Sequence, residues 1–404
     1  MCLSDMRLVV ISDRYIKQVY THFTHQQIAA ILASMNLQPT SPSNASLNTP
    51  DAPRPVIDLR SDTVTLPTAA MYERMCSAAL GDDGLDGDPT ARALEIRVAG
   101  MLGKEAGLYV PTATMGNLLA VLTQVGRHGQ VAMESTAHMY LTERGGATLS
   151  GCMYLGIPGA SGEMDLDILQ QTLKNTKTLR TELVCMETTH VNAGGAVLPL
   201  AHMRAVRELA HVAGARVHVD GARIFNEAVA LQVRVADVAD FADTVSVCLS
   251  KGLSAPAGAV LVGPAETIAH ARHLRKMLGG TQRQIGVLAA SGIEAVETMS
   301  LRLADDHATA RQLSTQLRAA LPAAIGVTTP ASNIVFIELP KDAPDSSAWA
   351  NEMKKRGVLI RPWGERRIRL VTHRHIDAHS INTAIAQFQQ AANTLFSSAN
   401  QQPA

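Results

Sequence analysis

Aromatic side chains are scarce in this 404-residue chain: two Trp, six Tyr and six Phe make up 3% of it. That scarcity disfavours a stacking platform for single-stranded nucleic acid and a ring-lined carbohydrate groove. Net charge is missing too, with 36 Lys+Arg against 36 Asp+Glu, so no global field draws nucleic acid or an anionic membrane. No stretch of about 18 uncharged apolar residues could span a bilayer. The N-terminus also lacks the charged segment and apolar run of roughly 7–15 residues that a secretory leader needs. The five cysteines are scattered without a CxxC pair, and their odd number leaves a thiol unpaired in any disulfide scheme, which favours a reduced, cytoplasmic setting. What the chain has in quantity is aliphatic material. At 46% hydrophobic and 18% charged, with 16 Met, it can fill a large core of two or three domains.

Residues 1–55 read as an N-terminal extension. Ile11, Tyr15, Val19 and Phe23 share a helical spacing, Thr24–Gln27 resembles a capping box, and 39–55 is a Pro/Ser/Asn-rich linker. From residue 56 onward short β-branched runs alternate with stretches of helical period, the pattern of an α/β protein. Asp88-Pro89 can serve as N-cap and first residue of a helix with Leu94, Val98, Met101 and Leu102 on one face. The runs 182–187, 216–220 and 244–250 read as buried parallel strands ending in polar residues. Ligands of open α/β sheets sit beyond the carboxyl ends of the strands, so Glu187, Asp220 and Ser250-Lys251 are expected to converge. We expect a large domain over 56–300, a small C-terminal α+β domain over 301–395 and a tail at 396–404.

Lys251 follows an apolar strand and precedes a Gly/Ala/Pro-rich stretch. An amine there loses hydration, which favours its neutral, nucleophilic form and makes it a Schiff-base candidate. Asp220 ends a neighbouring strand, and a buried carboxylate needs a cation. Two partners are open to it: the nearby Arg223, or a protonated pyridine nitrogen. Thr112–Asn117 opens an apolar helix with small and hydroxyl residues, an end able to bind phosphate, and carries neither GxxxxGK[ST] nor GxGxxG. A lysine for an aldehyde, an acid for a ring nitrogen and a phosphate cradle together specify pyridoxal 5'-phosphate (PLP). His273, His307, His373 and His375 form no metal-ligand spacing with nearby cysteines.

Lys251 and Asp220 fall within a series of segments that resemble the low-specificity L-threonine aldolases, fold-type I PLP enzymes of the aspartate aminotransferase superfamily. The segments are Val56–Thr65, Gly81–Asp83, Asp88–Thr90, Gly103–Ala106, Glu187–His190, His218–Asn226, Cys248–Leu253, Arg275–Gly280 and Arg369–His373. They lie in order across roughly 55–390. The resemblance implies a mostly parallel seven-stranded sheet flanked by helices, with a small α+β domain. It implies Lys251 as the Schiff-base lysine, Asp220 as partner of the pyridine nitrogen and Arg223 near the cofactor's phenolic oxygen or the substrate carboxylate. His138 is implied as the ring-stacking histidine and His190 as a second histidine at the hydroxyl end. Ser61 and Arg369 would clamp the carboxylate, and Ala113 and Thr114 would lie at the phosphate. Arg283 would reach that phosphate from a neighbouring subunit, which implies a dimer at minimum and typically a tetramer.

The implied reaction is cleavage of L-threonine or L-allo-threonine to glycine and acetaldehyde. Which bond breaks depends on its alignment with the cofactor's π system, so the carboxylate clamp selects the reaction. Three departures touch the pocket: Leu85 stands where a tyrosine is usual, Ala113 where glycine is usual, and Thr281-Gln282 where Gly-Met is usual. They leave open a different β-hydroxy amino acid such as a β-arylserine, β-elimination, or a non-catalytic PLP-binding homologue.

Overall fold

The computed structural model describes residues 56–143, 145–175, 177 and 179–399. The expected helices and linker of residues 1–55 lie outside the described residues. Seven short apolar strands build the main sheet: β1 Ala106–Val110, β2 Gln130–Glu134, β3 Met153–Ile157, β4 Thr181–Glu187, β5 Arg216–Asp220, β6 Thr244–Cys248 and β7 Ala259–Gly263. Their spatial order is β1-β7-β6-β5-β4-β2-β3. Only β7 runs antiparallel to its neighbours; the other pairings are parallel. Strands β2, β6 and β7 are buried along their whole length, as continuous apolar runs must be when helices cover both faces.

Helix α1, Pro89–Met101, begins as its sequence dictates: the Asp88 side chain accepts from the Ala91 N–H and proline fills the first turn, where no N–H is needed. Its Leu94 and Val98 join the main core with Val184, Val219, Val245 and Leu249. Helix α2, Ala113–Gln124, follows β1 and is capped by the Thr112 hydroxyl, which accepts from the Met115 N–H.

After residue 300 a second sheet orders β8 Gly326–Val327, β9 Ile334–Glu338, β10 Arg361–Pro362 and β11 Arg367–Val371 as β8-β9-β11-β10. It shares an apolar core with helix α3, Leu303–Ala320, and helix α4, Ala378–Ala399, around Trp349 and Phe388. The segment at Ile57 also belongs here: Ile57–Asp58 pairs in parallel with Val358–Leu359, and Leu59 lies in this second core. That pairing brings Ser61 and Asp62 to the mouth of the main sheet. Among the described residues no helix is long and apolar enough to cross a membrane.

Candidate active site

The parallel register sets the carboxyl ends of β4 and β5 side by side, with Glu187 opposite Asp220 and Asp220 opposite Ser246 of β6. Beyond these ends lies a cavity of about 170 Å³ whose walls include Ser61, His138, Asp220, Arg223, Lys251 and Arg369. A second cavity of about 380 Å³ adjoins it, walled by Ala113, Thr114, Ser250 and Gly258; His138, Asp220 and Lys251 line both. Lys251 is half-buried in the turn after β6, and its carbonyl accepts from the Thr65 hydroxyl at 2.8 Å. Three residues later Ser254 is held at φ +65°, a left-handed conformation rare for a side-chain-bearing residue, of the kind that clusters at functional sites.

Asp220 is 3% exposed and receives two hydrogen bonds, from Asn117 Nδ2 at 3.0 Å and the Ala222 N–H at 3.1 Å. Among the described residues no lysine or arginine forms an ion pair with it. Arg223 is engaged elsewhere: its Nε and Nη2 each donate to Asp62 at 2.7 Å. The Arg223 pairing considered for Asp220 is thus replaced by a buried fork between Arg223 and Asp62. Burial and the like charges of Glu187 and Glu143 raise the Asp220 carboxyl to about 6. Burial opposes ionisation of Asp62 as well, yet the Arg223 guanidinium holds it far below the usual carboxylate range.

His138 opens a short helical turn, its ring Nδ1 lying 3.0 Å from Glu143 Oε1 and its backbone N–H donating to Glu187 at 2.6 Å. The hydrogen bond to Glu143 raises the imidazole's titration above its ordinary value. Glu143 also accepts from the Thr114 hydroxyl at 3.0 Å and from Asn117 at 3.2 Å. His138, Glu143 and Asp220 carry ligand-type atoms within 4.8 Å of one another, a grouping rich in acceptors that attracts positive charge.

Arg369 is 3% exposed at the centre of β11, donates through Nη2 to the Arg60 carbonyl at 3.0 Å, and has no hydrogen-bond partner at Nε. Burial and the charges of Arg223 and Arg361 lower its guanidinium to about 9. Ser61, on the same cavity wall, caps the short helical turn Asp62–Val64 and accepts from the Thr63 N–H.

Two expected site residues, His190 and Arg283, line neither cavity of this chain. His190 is fully buried behind the cavity wall, its Nε2 3.1 Å from Glu134 and 3.8 Å from Glu187. Burial works against its protonation, but these two carboxylates raise its titration above the ordinary value. Arg283 is 67% exposed beside the Gly81–Asp88 loop, 3.4 Å from Asp82, and lines neither cavity of its own chain. Leu85, in the same loop, is 78% exposed.

Glu143, Asn117, Glu227 and Trp363 were not among the expected site residues. Glu227 accepts from Thr189 N and Oγ1 and from Leu198 N, holding Thr189 at φ +54° on the cavity wall. Burial pushes its carboxyl up to about 7. A Pro-Trp-Gly turn containing one of only two tryptophans was the available signal for Trp363.

Residues 58–340 match the beta-eliminating lyase family. Low-specificity L-threonine aldolase 1 of Arabidopsis thaliana is 38% identical over 347 residues, covering 84% of this chain and 97% of its own. The low specificity L-threonine aldolase of Escherichia coli K12 is 37% identical over 338 residues, covering 83% and 98%. Among solved structures, Leishmania major threonine aldolase superposes with a TM-score of 0.65 at 17% identity, covering 85% of this chain and 99% of that one; at that identity the likeness speaks to fold.

Proposed function

We propose that this chain, which belongs to the beta-eliminating lyase family, cleaves L-threonine and L-allo-threonine to glycine and acetaldehyde with PLP as cofactor. The observation that carries the reading is Asp220: a carboxylate buried at a strand end, without a cationic side chain paired to it among the described residues, in a cavity it shares with Lys251. The donor set fits the cofactor. Asp220 supplies the counter-charge for a ring nitrogen, Lys251 an amine for an aldehyde, and the first turn of α2 the N–H groups of Ala113 and Thr114 for a phosphate, because helical geometry leaves those two without helical acceptors. Ala113 and Thr114 begin that turn. PLP bound there supplies an electron sink for the charge left on Cα when the Cα–Cβ bond breaks.

The chain's own residues do the rest. A carboxylate lying against Ser61 and Arg369 meets a guanidinium with an unpartnered Nε, and the fork's parallel donors orient it. His138, half-buried and hydrogen-bonded to Glu143, is placed to take the proton of the β-hydroxyl as the aldehyde forms, leaving a proton to be delivered to Cα of the glycine product. Arg223 acts mainly by holding Asp62, and together they fix the floor beside Ser61. His190 supports the segment behind His138 through Glu134 and Glu187, at one remove from the substrate. The exposure of Arg283 supports its use by a second copy of the chain, and hence a homo-oligomer, with a tetramer as the proposed size. The free thiols of Cys76, Cys152, Cys185 and Cys248 support a cytoplasmic location. The division at about residue 300 rests on the two sheets having separate cores.

The test is to load the purified protein with PLP and assay glycine and aldehyde from L-threonine, L-allo-threonine and phenylserine. Release of acetaldehyde and glycine from either threonine isomer is the expected result. Aldehyde from phenylserine alone would move the proposal to β-arylserines, and no aldehyde from any of the three would end it. Lys251→Ala is expected to abolish the cofactor's near-visible absorbance in the loaded protein; an unchanged band would exclude Lys251 as the attachment point.

A further inference from the structure

We infer that Trp363 is the positioning residue of the substrate-carboxylate site: its indole face carries the Arg369 guanidinium, and its N–H ties that site to the segment bearing His138. The inference rests on the proposed reading of Arg369 as the carboxylate's partner. Strand β10 pairs antiparallel with β11 so that Arg361 stands opposite Arg369. Trp363 opens the connecting turn, its backbone N–H donating to the Arg367 carbonyl at 2.8 Å. In this hairpin Arg369 Cζ lies 4.2 Å from the indole centroid, and Arg361 Cζ lies 5.0 Å from it. Phe336, 6.4 Å away, and its neighbours Val191, Ile334 and Val371 form an apolar bed for the ring.

The choice of an aromatic face has a chemical consequence. A guanidinium 3% exposed needs compensation for its lost hydration, and an acid placed beside it would occupy the N–H groups. An indole face stabilises the cation from above its plane and leaves the in-plane donors available. That is the state of Arg369: one bond from Nη2 to a backbone carbonyl, and no partner at Nε. The edge is kept for a planar carboxylate.

The ring cannot turn freely, because its Nε1–H donates to Asn192 Oδ1 at 3.0 Å. Asn192 in turn donates through Nδ2 to the Thr136 carbonyl at 2.6 Å. Asn192 follows His190 by two residues, and Thr136 precedes His138 by two. One indole therefore sets the distance between the group that holds the carboxylate and the imidazole expected at the β-hydroxyl. Misplacement by about an ångström costs on the order of a hundredfold in rate.

The test uses the PLP-loaded protein with glycine and with methylamine, an amine that lacks the carboxylate, each titrated by the change in cofactor absorbance. The wild-type chain is expected to bind glycine more tightly than methylamine. Trp363→Ala is expected to weaken glycine about thirtyfold, the scale of a desolvated cation–π contact, and to leave methylamine unchanged. Trp363→Phe keeps a face and loses the N–H, so it should retain most of the glycine affinity and lose mainly kcat with L-allo-threonine. Asn192→Ala should reproduce the Trp363→Phe pattern. Equal weakening of both amines in Trp363→Ala, or no weakening of either, overturns the stacking role; an unchanged kcat in both Trp363→Phe and Asn192→Ala overturns the tether. No preference for glycine in the wild-type chain would refute the reading of Arg369 instead.

Discussion

Replacing Asp220 by Asn should stabilise the cofactor-free protein at neutral pH while destroying its capacity for chemistry. The carboxyl is raised from an ordinary 3.8 to about 6 by burial and by Glu187 and Glu143, so the folded state binds its proton more tightly than the unfolded chain does. Between pH 4 and 6 the folded protein carries the extra proton, and stability therefore falls as pH rises through that window. Holding the group ionised at pH 7 costs on the order of 2–3 kcal/mol. Asparagine removes that cost. It cannot, however, accept from both Asn117 Nδ2 and the Ala222 N–H, and one strained contact takes back about 1 kcal/mol. The expected net gain is about 1–2 kcal/mol at pH 7, fading towards zero at about pH 4.5, where the folded aspartate is itself neutral. Urea unfolding of the PLP-free protein at the two pH values measures it. A variant less stable than the parent at pH 7, or a gain equally large at the lower pH, refutes the reasoning. The loaded proteins should show the opposite order, because a ring cation compensates the carboxylate of Asp220 and finds no such counter-charge in the amide of the variant.

Two further perturbations isolate other parts of the site. Asp62→Asn leaves the buried Arg223 guanidinium without its counter-ion and should cost about 3–5 kcal/mol in chemical denaturation; a loss below about 1 kcal/mol would mean that Arg223 finds another acid. Glu143→Gln removes the charge that raises His138, so the acid limb of the kcat/KM profile should move to lower pH, with an unmoved limb excluding His138 as the titrating base.

Local signals carried far in this chain. The Asp88-Pro89 helix start, the capped opening of α2 and the polar ends of β4 and β5 each follow from a few neighbouring residues, and each forms as its sequence requires, whereas β6 stops at Cys248 and leaves Ser250-Lys251 in the turn beyond it. The placement of Lys251 beside Asp220 followed from strand ends in a parallel sheet. What escaped is non-local. The partner of Arg223 lies 161 residues away in sequence, on a segment brought in by the two-residue pairing of Ile57–Asp58 with Val358–Leu359. Nothing in the composition distinguishes Asp62 from Asp220 as the acid that takes the arginine; burial and reach decide it. His190 sits in the motif that suggested it, yet its ring turns to Glu134 and Glu187, because two carboxylates in a buried layer hold an imidazole more strongly than a cavity wall does. Trp363 gains a role only through the pairing of β10 with β11, which folds Arg361 and Arg369 against it.

Thr114 shows how the same balance of charges governs the phosphate end. Its hydroxyl already donates to Glu143 at 3.0 Å, a charge-assisted bond of the kind a phosphate would receive. Binding a phosphate at the start of α2 therefore exchanges one anionic acceptor for another, and the exchange contributes little net affinity. Ordinarily, removing a hydroxyl that donates to an anion costs about 1.5–3 kcal/mol, more than tenfold in Kd. Here Thr114→Ala should weaken PLP by less than about tenfold, the larger share of the grip coming from the backbone N–H groups of the first turn. Equilibrium titration of PLP into the cofactor-free variant, followed by absorbance, measures this directly. A loss of a hundredfold would show that Thr114 has no equivalent acceptor in the free protein and that Glu143 is not its partner in solution.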